Sequence, residues 1–449
     1  MNKSFDYIIV GAGPAGIFAS LELLSKKVKG SSIALIDMGK RIKDRAAHEV
    51  MMGFGGAGTY SDGKLHYTPK LSHERTFHLI DPDDYQKLLD EVQQTFESYG
   101  VNARFYPDNV EEVDGLINLC ERNNIELVVR KAQHVGTDKL KDVISDMETK
   151  LIKAGVNIIT EVKIEDLIVE EGEIKGVIGN NKIKYLGKKI LLAPGRVNTR
   201  WLQNVGTKHN MKYQYDMVEV GVRVEFPSSI MKKYADALYE IVFKIRTKTY
   251  DDIIRTFCSC PNGFVAQEIY DGYVCVNGHS NSDHASQNSN FAFVCEVNLT
   301  EPVENSIAYA ESIARLASTI GGGKPILQRL ADLRRFRRST WGRLKKSMVL
   351  PSLKDVTPGD IAMALPYRIV TNILEGLEQL DKVMPGINSG STLLYAPEVK
   401  LRSSKVYTTK DMQTSIKNLY VAGDAAGLSG SITGAAATGI MAARGMKIK

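Results

Sequence analysis

Two short apolar runs open the chain, with a helical pattern between them. The first run, residues 6–10, is typical of a strand, and the second, residues 32–36, ends at an acidic residue, Asp37. Between the two runs, apolar residues recur at helical spacing to about Leu24. This order predicts a complete βαβ unit at the start of the chain.

Helical patterns dominate the next part of the sequence. Asp81 is suited to cap a helix that begins at Pro82 and runs to about Tyr99, before Gly100. The other elements predicted up to residue 193 are helices at 108–121 and 138–153 and strands at 156–160 and 189–193, with a meander between the two strands.

The pattern changes between residues 211 and 384. Apolar and polar residues alternate there over many short runs, such as 218–224 and 264–276. Helical patterns interrupt these runs near 303–319 and 361–379. The alternation predicts a mostly antiparallel sheet with covering helices.

Composition is that of an ordinary globular protein. Of 449 residues, 24% are charged and 43% hydrophobic, and the net charge of +6 suits an anionic ligand such as a dinucleotide. Five scattered cysteines do not form a secreted disulfide framework, which favours reduced thiols and a cytoplasmic location. Glycines interrupt the apolar start, so we expect neither a signal peptide nor a transmembrane span.

A glycine-rich turn joins the first predicted strand to the first helix. Gly11 allows the tight turn, Gly13 lets a pyrophosphate approach the backbone, and Gly16 lets the helix pack closely on the strand. The N-terminal end of that helix offers free N–H groups and a partial positive charge to the phosphates. Asp37 is placed to accept the hydroxyls of an adenosine ribose, which disfavours NADP(H).

Two later motifs extend this site. A strand ends at Ala193 and turns at Gly195, and Val162 lies just after an earlier strand, where two-domain flavoproteins bind adenine through the backbone. Near the C-terminal end, a predicted strand at 418–422 leads to Gly423 and Asp424. Asp424 would hold a ribityl hydroxyl of a flavin.

A predicted helix from about residue 431 to 446 follows this turn. Its N-terminal end, with Gly434 and Ala435, would face the N1/O2 edge of the flavin and stabilise negative charge there. The three motifs together, in this order and spacing, predict FAD. The cofactor-binding residues expected from them are Gly11, Gly13, Pro14, Ala15, Gly16, Asp37, Val162, Ala193, Gly195, Gly423, Asp424, Gly434 and Ala435.

The predicted fold class is α/β, with a Rossmann-type FAD-binding domain that contains a parallel sheet. A second, mostly antiparallel α+β domain would bind the substrate. We assign residues 1–70, 131–210 and 385–449 to the discontinuous FAD-binding domain, 71–130 to a helical insertion, and 211–384 to the substrate domain.

Glycines are densest in a run that precedes Lys64, where the backbone is expected to pass close to the cofactor. The residues of this run expected to bind the cofactor are Gly55, Gly56, Ala57, Gly58, Ser61, Asp62 and Gly63. The run resembles the family of uncharacterised FAD-dependent dehydrogenases. Residues 133–138, 257–261 and 276–278 and the C-terminal glycine-rich turn share this resemblance.

The resemblance covers most of the chain. It implies a two-domain flavoprotein of glutathione-reductase-like topology, with one FAD and no assigned substrate. Many members have a longer, often cysteine-rich segment before the double glycine. Here residues 41–52 are short and contain no cysteine, which argues against an iron–sulfur or thiol relay at this place.

Candidate catalytic residues follow the dense glycine run and recur in the second domain. Asp62, Lys64 and His66 could donate protons near the flavin, and a structural role for the turn at residues 61–63 is an equal alternative. Cys258, two residues before Cys260, would belong either to a redox pair or to the packing of a strand, and this spacing strains a disulfide. His279 is the proton donor expected in a substrate pocket of the second domain, near Cys258.

The source of electrons stays open. The sequence contains no second glycine-rich βαβ unit, so NADH would visit the flavin transiently, or the substrate or a protein carrier would exchange electrons directly. Residues 334–346 are rich in arginine and lysine, which indicates either a solvated face or a patch for an acidic protein electron carrier. Phe336 and Trp341 are interleaved there, but nucleic acid is not favoured.

Three functions therefore remain. The first is hydride transfer at flavin N5 by a dehydrogenase or reductase of a small organic molecule. The second is a flavin monooxygenase, although residues 429–434 lack the proline and asparagine usual in aromatic hydroxylases. The third is a flavin-bearing subunit that acts on RNA or with a protein electron carrier.

Overall fold

The computed structural model describes residues 2–46, 49, 51–60, 63–270, 272–279, 285–297, 305–400 and 404–446. The chain forms two compact units. Unit 1 comprises Met1–Phe105, Arg130–Asp216 and Ser403–Lys449, and unit 2 comprises Tyr106–Val129 and Met217–Arg402.

The strands of this part of the chain are β1 Asn2–Val10, β2 Ile33–Ile36, β3 Lys64–His66, β4 Phe105–Tyr106, β5 Ile125–Val128, β6 Ala132–His134, β7 Asn157–Ile159, β8 Ile164–Glu170, β9 Glu173–Gly179, β10 Lys184–Leu192, β11 Tyr213–Gln214, β12 Val218–Pro227, β13 Val242–Arg246, β14 Ile253–Cys260, β15 Phe264–Tyr270, β16 Tyr273–His279, β17 Asn288–Val297, β18 Ile326–Arg329, β19 Thr357–Pro358, β20 Leu393–Lys400, β21 Lys405–Val406 and β22 Leu419–Val421.

The helices are α1 Pro14–Ser25, α2 Pro82–Ser98, α3 Val110–Glu121, α4 Thr137–Lys153, α5 Thr199–Lys208, α6 Lys232–Leu238, α7 Ser306–Gly321, α8 Leu330–Leu333, α9 Trp341–Leu344, α10 Tyr367–Leu380 and α11 Ile432–Gly445. None of the helices seen here is long and apolar enough to cross a membrane.

Unit 1 contains a mostly parallel sheet with the strand order β7-β2-β1-β10-β9-β8, and β22 also pairs with β10. β1 runs parallel to β2 and to β10, which confirms the predicted βαβ unit. Ile8 and Ile9 in β1 and Leu35 in β2 are fully buried. A strand buried on both faces has no polar alternation, which is why these segments are continuous apolar runs in the sequence.

Local signals in the sequence define several helix ends. The Asp81 carboxylate accepts the backbone N–H of Asp83 at 2.9 Å, so it caps α2 as predicted. Gly100, just beyond the end of that helix, has a φ of 89°. The hydroxyl oxygen of Ser431 caps α11 by accepting the N–H of Gly434 at 3.0 Å. Side-chain caps of this kind satisfy donors that have no partner within the helix.

Unit 2 contains a sheet of strand order β19-β18-β20-β12-β17-β14-β13-β5. Its neighbouring strands are antiparallel, apart from β18 and β19. The mostly antiparallel second domain is therefore confirmed. The apolar run 264–276 forms a hairpin of β15 and β16 rather than one strand.

The units differ in extent from the domains expected from the sequence. Of residues 71–130, which we set apart as an insertion, α2 belongs to unit 1 and α3 to unit 2. Residues 385–402 lie in unit 2 because β20 pairs with β12 and with β18.

The strand β12 is buried on both of its faces. Val220 and Val222 point into the apolar core of unit 2. On the other face, Glu219, Arg223 and Glu225 are also buried. Each finds a polar partner there; for example, the Tyr395 hydroxyl donates to the Glu225 carboxylate at 2.5 Å. Unit 2 therefore contains a buried polar layer on one side of its central strand.

Candidate cofactor site

Two glycines of the first turn are required by packing in unit 1. Gly11 has a φ of 104°, and a Cβ built on it would lie 2.0 Å from the carbonyl oxygen of Ala193. A Cβ on Gly16 would lie 1.9 Å from the carbonyl oxygen of Gly11. Side chains at these positions would collide with the backbone, so both glycines allow the close approach that the sequence predicts.

Gly13 stands in more open surroundings. Within the described part of the chain, a Cβ on Gly13 would meet only the Cα of Gly56, at 3.9 Å. The dense glycine run crosses the first turn here, because the N–H of Gly55 donates to the carbonyl of Ala12 at 2.8 Å. A Cβ on Gly58 would lie 3.3 Å from both Pro14 and Ile432. We call Gly13, Gly56 and Gly58 the glycine cradle.

The position of Gly58 brings two helix ends together. Pro14 is the first residue of α1 and Ile432 is the first residue of α11, and Gly58 touches both. Further along, a Cβ on Gly439 would lie 2.1 Å from the carbonyl oxygen of Ala15, so the two helices cross closely. Two N-terminal helix ends, each with a partial positive charge, therefore flank the glycine cradle.

A buried arginine that sequence reasoning missed supports the dense glycine run. The Arg45 guanidinium donates to the carbonyls of Phe54 at 2.7 Å and Gly56 at 3.1 Å. It also lies 4.5 Å from the ring centroid of Tyr60. Burial lowers the pKa of Arg45, against the opposing effects of Tyr60 and Asp37. Arg45 therefore shapes the run and adds positive charge beside it.

Of the other residues predicted in this run, Ala57 is exposed, and Ser61 and Asp62 lie outside the described residues. Gly63 has a φ of 71°, and a Cβ there would come within 2.7 Å of the Gly136 nitrogen. Gly63 is therefore needed for contact with the backbone before α4.

Asp37 holds backbone segments together at the end of β2. One carboxylate oxygen accepts the N–H of Ala12 at 2.8 Å. The other accepts the N–H groups of Gly39 at 2.8 Å and Gly53 at 2.9 Å. A carboxylate has about four acceptor sites, so capacity for a further donor remains. The ribose contact of Asp37 stays a prediction.

Asp37 also borders a small cleft at the ends of the parallel strands. Val162, predicted to lie at the adenine, and Gly11, predicted to form the tight turn, line the same cleft. Val162 donates its N–H to the carbonyl of Asp37 at 3.0 Å. Other lining residues, which the sequence did not single out, are Met38, Pro194, Asn198 and Trp201. Trp201 lies on α5 and Asn198 directly precedes that helix, which the sequence pattern did not predict.

The C-terminal motif adds an acid to the same unit. A Cβ on Gly423 would lie 3.4 Å from the Cβ of Ala15 and 4.0 Å from that of Ala435, so three predicted residues meet here. The Asp424 carboxylate accepts a hydroxyl hydrogen bond from Ser429 and a guanidinium N–H from Arg196, each at 3.0 Å. Arg196 directly follows Gly195 at the end of the second motif, but nothing in the sequence indicated this contact.

Two catalytic candidates belong to unit 1. Lys64 is half-buried at the start of β3, and His66 is buried at its end. The Thr433 hydroxyl donates to the carbonyl of His66 at 2.5 Å, which joins β3 to the first turn of α11. The structure therefore brings His66 to the same helix end as Gly434.

The other two candidates belong to unit 2. Cys258 is half-buried on β14 with a φ of 48°, at an irregularity in the pairing of β14 with β17. A positive φ is uncommon outside glycine, so this backbone is strained. His279 is exposed at the end of β16, opposite Phe264. Catalytic roles for Lys64, His66, Cys258 and His279 stay predictions.

Known proteins resemble this chain in two ways. Residues 217–401 match the family described as "FAD-dependent protein, C-terminal domain-like", and this stretch coincides with the second segment of unit 2. An uncharacterized protein of Clostridium beijerinckii is 26% identical over 478 residues, which cover 97% of this chain and 79% of that protein.

Solved structures show weaker similarity. L-Proline dehydrogenase from P. horikoshii matches 99% of this chain and 93% of its own, with 11% identity and a TM-score of 0.41. The open conformation of a flavocytochrome c3 fumarate reductase matches 99% of this chain and 77% of its own, with 12% identity and a TM-score of 0.44. Similarity at this level says nothing about the reaction.

FAD fits the residues of unit 1. The glycine cradle leaves backbone accessible beside two helix ends, as a pyrophosphate requires. Asp37 and Val162 border the cleft, and Asp424 lies in the turn after β22, so a dinucleotide would find polar partners at both places. With the FAD-dependent family match over residues 217–401, the chain is a flavoprotein and its cofactor is FAD.

Proposed function

We propose that this protein is a FAD-dependent dehydrogenase or reductase of a small organic molecule, related to the uncharacterised FAD-dependent dehydrogenases. The observation that carries the proposal is the meeting of the first residues of α1 and α11 at Gly58. When bound at this place, FAD supplies hydride transfer at N5. The residues of the chain supply binding, orientation and proton transfer.

Different parts of unit 1 have different tasks in this proposal. The N-terminal end of α1 and the glycine cradle bind the pyrophosphate. The N-terminal end of α11 favours negative charge on the pyrimidine edge of the ring, which assists reduction. Asp424, already fixed by Ser429 and Arg196, accepts a ribityl hydroxyl.

Proton transfer needs a group that can change its charge near neutral pH. His66 and His279 are the histidines we assign to this task, with Lys64 as a further donor. Thr433 fixes the backbone of His66 to α11, which makes His66 the better-positioned candidate in unit 1. Cys258 is a further candidate for a catalytic role because its backbone is strained.

The reaction is tested by anaerobic reduction. We expect the yellow protein, mixed without oxygen with NADH and with a panel of reduced metabolites, to lose its flavin absorbance with at least one organic donor. Admission of oxygen or of an oxidised partner should restore the absorbance. If NADH alone bleached the flavin and, once oxygen was admitted, a metabolite of the panel gained an oxygen atom, the protein would be a monooxygenase and the proposal would be wrong.

Replacement of Asp424 tests the orientation of the cofactor. We expect Asp424→Ala to weaken FAD binding by about 10- to 100-fold, because a hydrogen bond to a charged group contributes about 1.5–3 kcal/mol. The measurement is titration of the apoprotein with FAD, followed by flavin fluorescence. Asp6→Ala is the matched control, since Asp6 also pairs with a basic side chain in unit 1, that of Lys188 at 2.7 Å. Equal FAD affinity of the two variants would show that Asp424 does not bind the cofactor.

A further inference from the structure

One surface of unit 2 has an unusual concentration of charge. We call residues 329–350 the basic segment, since it contains eight arginines and lysines and one acidic residue, for a net charge of +7. Five of the cations are exposed to solvent: Arg334, Arg335, Arg338, Lys345 and Lys346. The function proposed above does not use this segment.

The single acid of the basic segment is occupied by internal contacts. Asp332 is fully buried and accepts hydrogen bonds from Arg329 at 3.0 Å, Arg337 at 2.8 Å and the Ser339 hydroxyl at 2.8 Å. Asp332 therefore holds three residues of the segment together at one buried position. The five exposed cations have no neutralising acid within the segment.

The apolar side chains of the basic segment that are larger than alanine form two groups of four. Leu330, Leu333, Leu344 and Val349 are buried and anchor the segment to unit 2. The second group is exposed to water: Phe336 is 73% exposed, Trp341 47%, Met348 91% and Leu350 60%. Val349 is buried between two exposed neighbours, so the exposure of Met348 and Leu350 is a feature of the folded segment.

Phe336 combines exposure with backbone strain. Its φ is 49°, a left-handed conformation that a bulky residue rarely adopts. Glycine or asparagine would take this conformation at lower cost. Strained backbone of this kind persists where the surrounding structure enforces it, and it clusters at sites that bind ligands.

We propose that the basic segment docks the protein on an anionic phospholipid surface. The exposed arginines and lysines would lie at the headgroups, and the four exposed apolar side chains would enter the interface below them. Cations beside tryptophan, phenylalanine and leucine are the combination that binds such interfaces. Nucleic acid would use the aromatic rings for stacking but not Met348 or Leu350, the aliphatic pair. A lipid interface accommodates all four.

The binding test uses the full chain with FAD and sedimentation with vesicles. One vesicle contains phosphatidylcholine alone, and the other contains equal parts of phosphatidylcholine and phosphatidylglycerol. We expect binding to the anionic vesicle and weaker binding as salt rises. No binding to the anionic vesicle at low salt, or equal binding to both vesicles, would contradict the proposal.

Two double variants separate the contributions of charge and apolar contact. We expect Arg335→Glu with Lys346→Glu to weaken binding by about a hundredfold or more, since each basic residue near an anionic surface contributes several-fold. We expect Phe336→Gly with Met348→Ser to weaken it by about tenfold or more. The matched controls elsewhere in unit 2 are Lys233→Glu with Lys382→Glu, and Ile269→Ser with Leu316→Ser, which should bind normally.

Phe336→Gly alone distinguishes a binding role from a structural one. Since glycine relieves the strain, we expect the melting temperature to rise by roughly 2–4 °C while vesicle binding falls. If charge reversal abolished vesicle binding but the apolar variants bound as well as the original protein, the exposed apolar side chains would not enter the interface. The lipid proposal would then be wrong.

Discussion

Replacing Gly13 by valine is expected to abolish tight FAD binding and to leave unit 1 folded. Gly13 has an extended backbone, φ −76° and ψ −174°, which any residue can adopt. Its surroundings have room for a side chain, but that room is where the pyrophosphate would approach. We expect the dissociation constant to rise at least about a hundredfold, or about 2.7 kcal/mol. The measurement is FAD titration of the apoprotein.

Two other glycine variants serve as controls for this experiment. Gly115→Ala, in α3 of unit 2, places a Cβ in open space and should change nothing. Gly16→Ala should instead destabilise the apoprotein, because its Cβ would lie 1.9 Å from a backbone oxygen. The assignment of Gly13 to the cofactor fails if Gly13→Val retains FAD, or if it unfolds unit 1 as Gly16→Ala does.

The second large effect is expected in unit 2, from Arg223→Met. Arg223 is fully buried and donates to the side-chain oxygen of Asn290 at 2.7 Å and to the carbonyl of Cys258 at 2.6 Å. It also lies 3.5 Å from the buried carboxylate of Glu398. Methionine takes the guanidinium donor from all three acceptors, and Glu398 keeps only Lys400, whose ammonium lies 2.7 Å away. A buried hydrogen-bonding group left without its partner costs about 1–3 kcal/mol.

Urea unfolding of the variant measures this loss. Trp341 is in unit 2 and Trp201 is in unit 1, so fluorescence in a Trp201→Phe background reports on unit 2. Arg246→Met is the control, because Arg246 and its partner Asp251 are both exposed and such pairs contribute little. Similar unfolding midpoints for Arg223→Met and Arg246→Met would show that the buried contacts do not stabilise unit 2.

The burial of the polar layer around Arg223 could not be predicted from the sequence. Alternation in β12 predicts one apolar and one polar face, and both are present. A polar face normally meets water, yet this one is covered by residues distant in sequence, such as Glu398 on β20. Pairing between strands so far apart leaves no local signal, and for the same reason the sequence placed residues 385–400 in the wrong unit.

The cofactor site was more accessible to prediction, because its glycines are local features. Gly11, Gly13 and Gly16 follow a strand and open a helix, so their spacing alone indicates a phosphate-binding turn. The partners of Asp424 and of the dense glycine run were missed. Nothing in the sequence indicated a role for Arg45 or Arg196, and only folding brings each guanidinium to its acceptor.

The close crossing of α1 and α11 has a consequence for biosynthesis. Ala15 of α1 contacts Gly439 of α11, and most of the sequence lies between these two residues. During translation, α1 is therefore made long before the helix against which it packs. At about 5–20 residues per second, this delay is roughly 20–90 s. During it, one side of the glycine cradle has been made and the helix that flanks the other side has not. We therefore expect nascent chains that stop before α11 to contain no flavin, and FAD to enter only once α11 has been made.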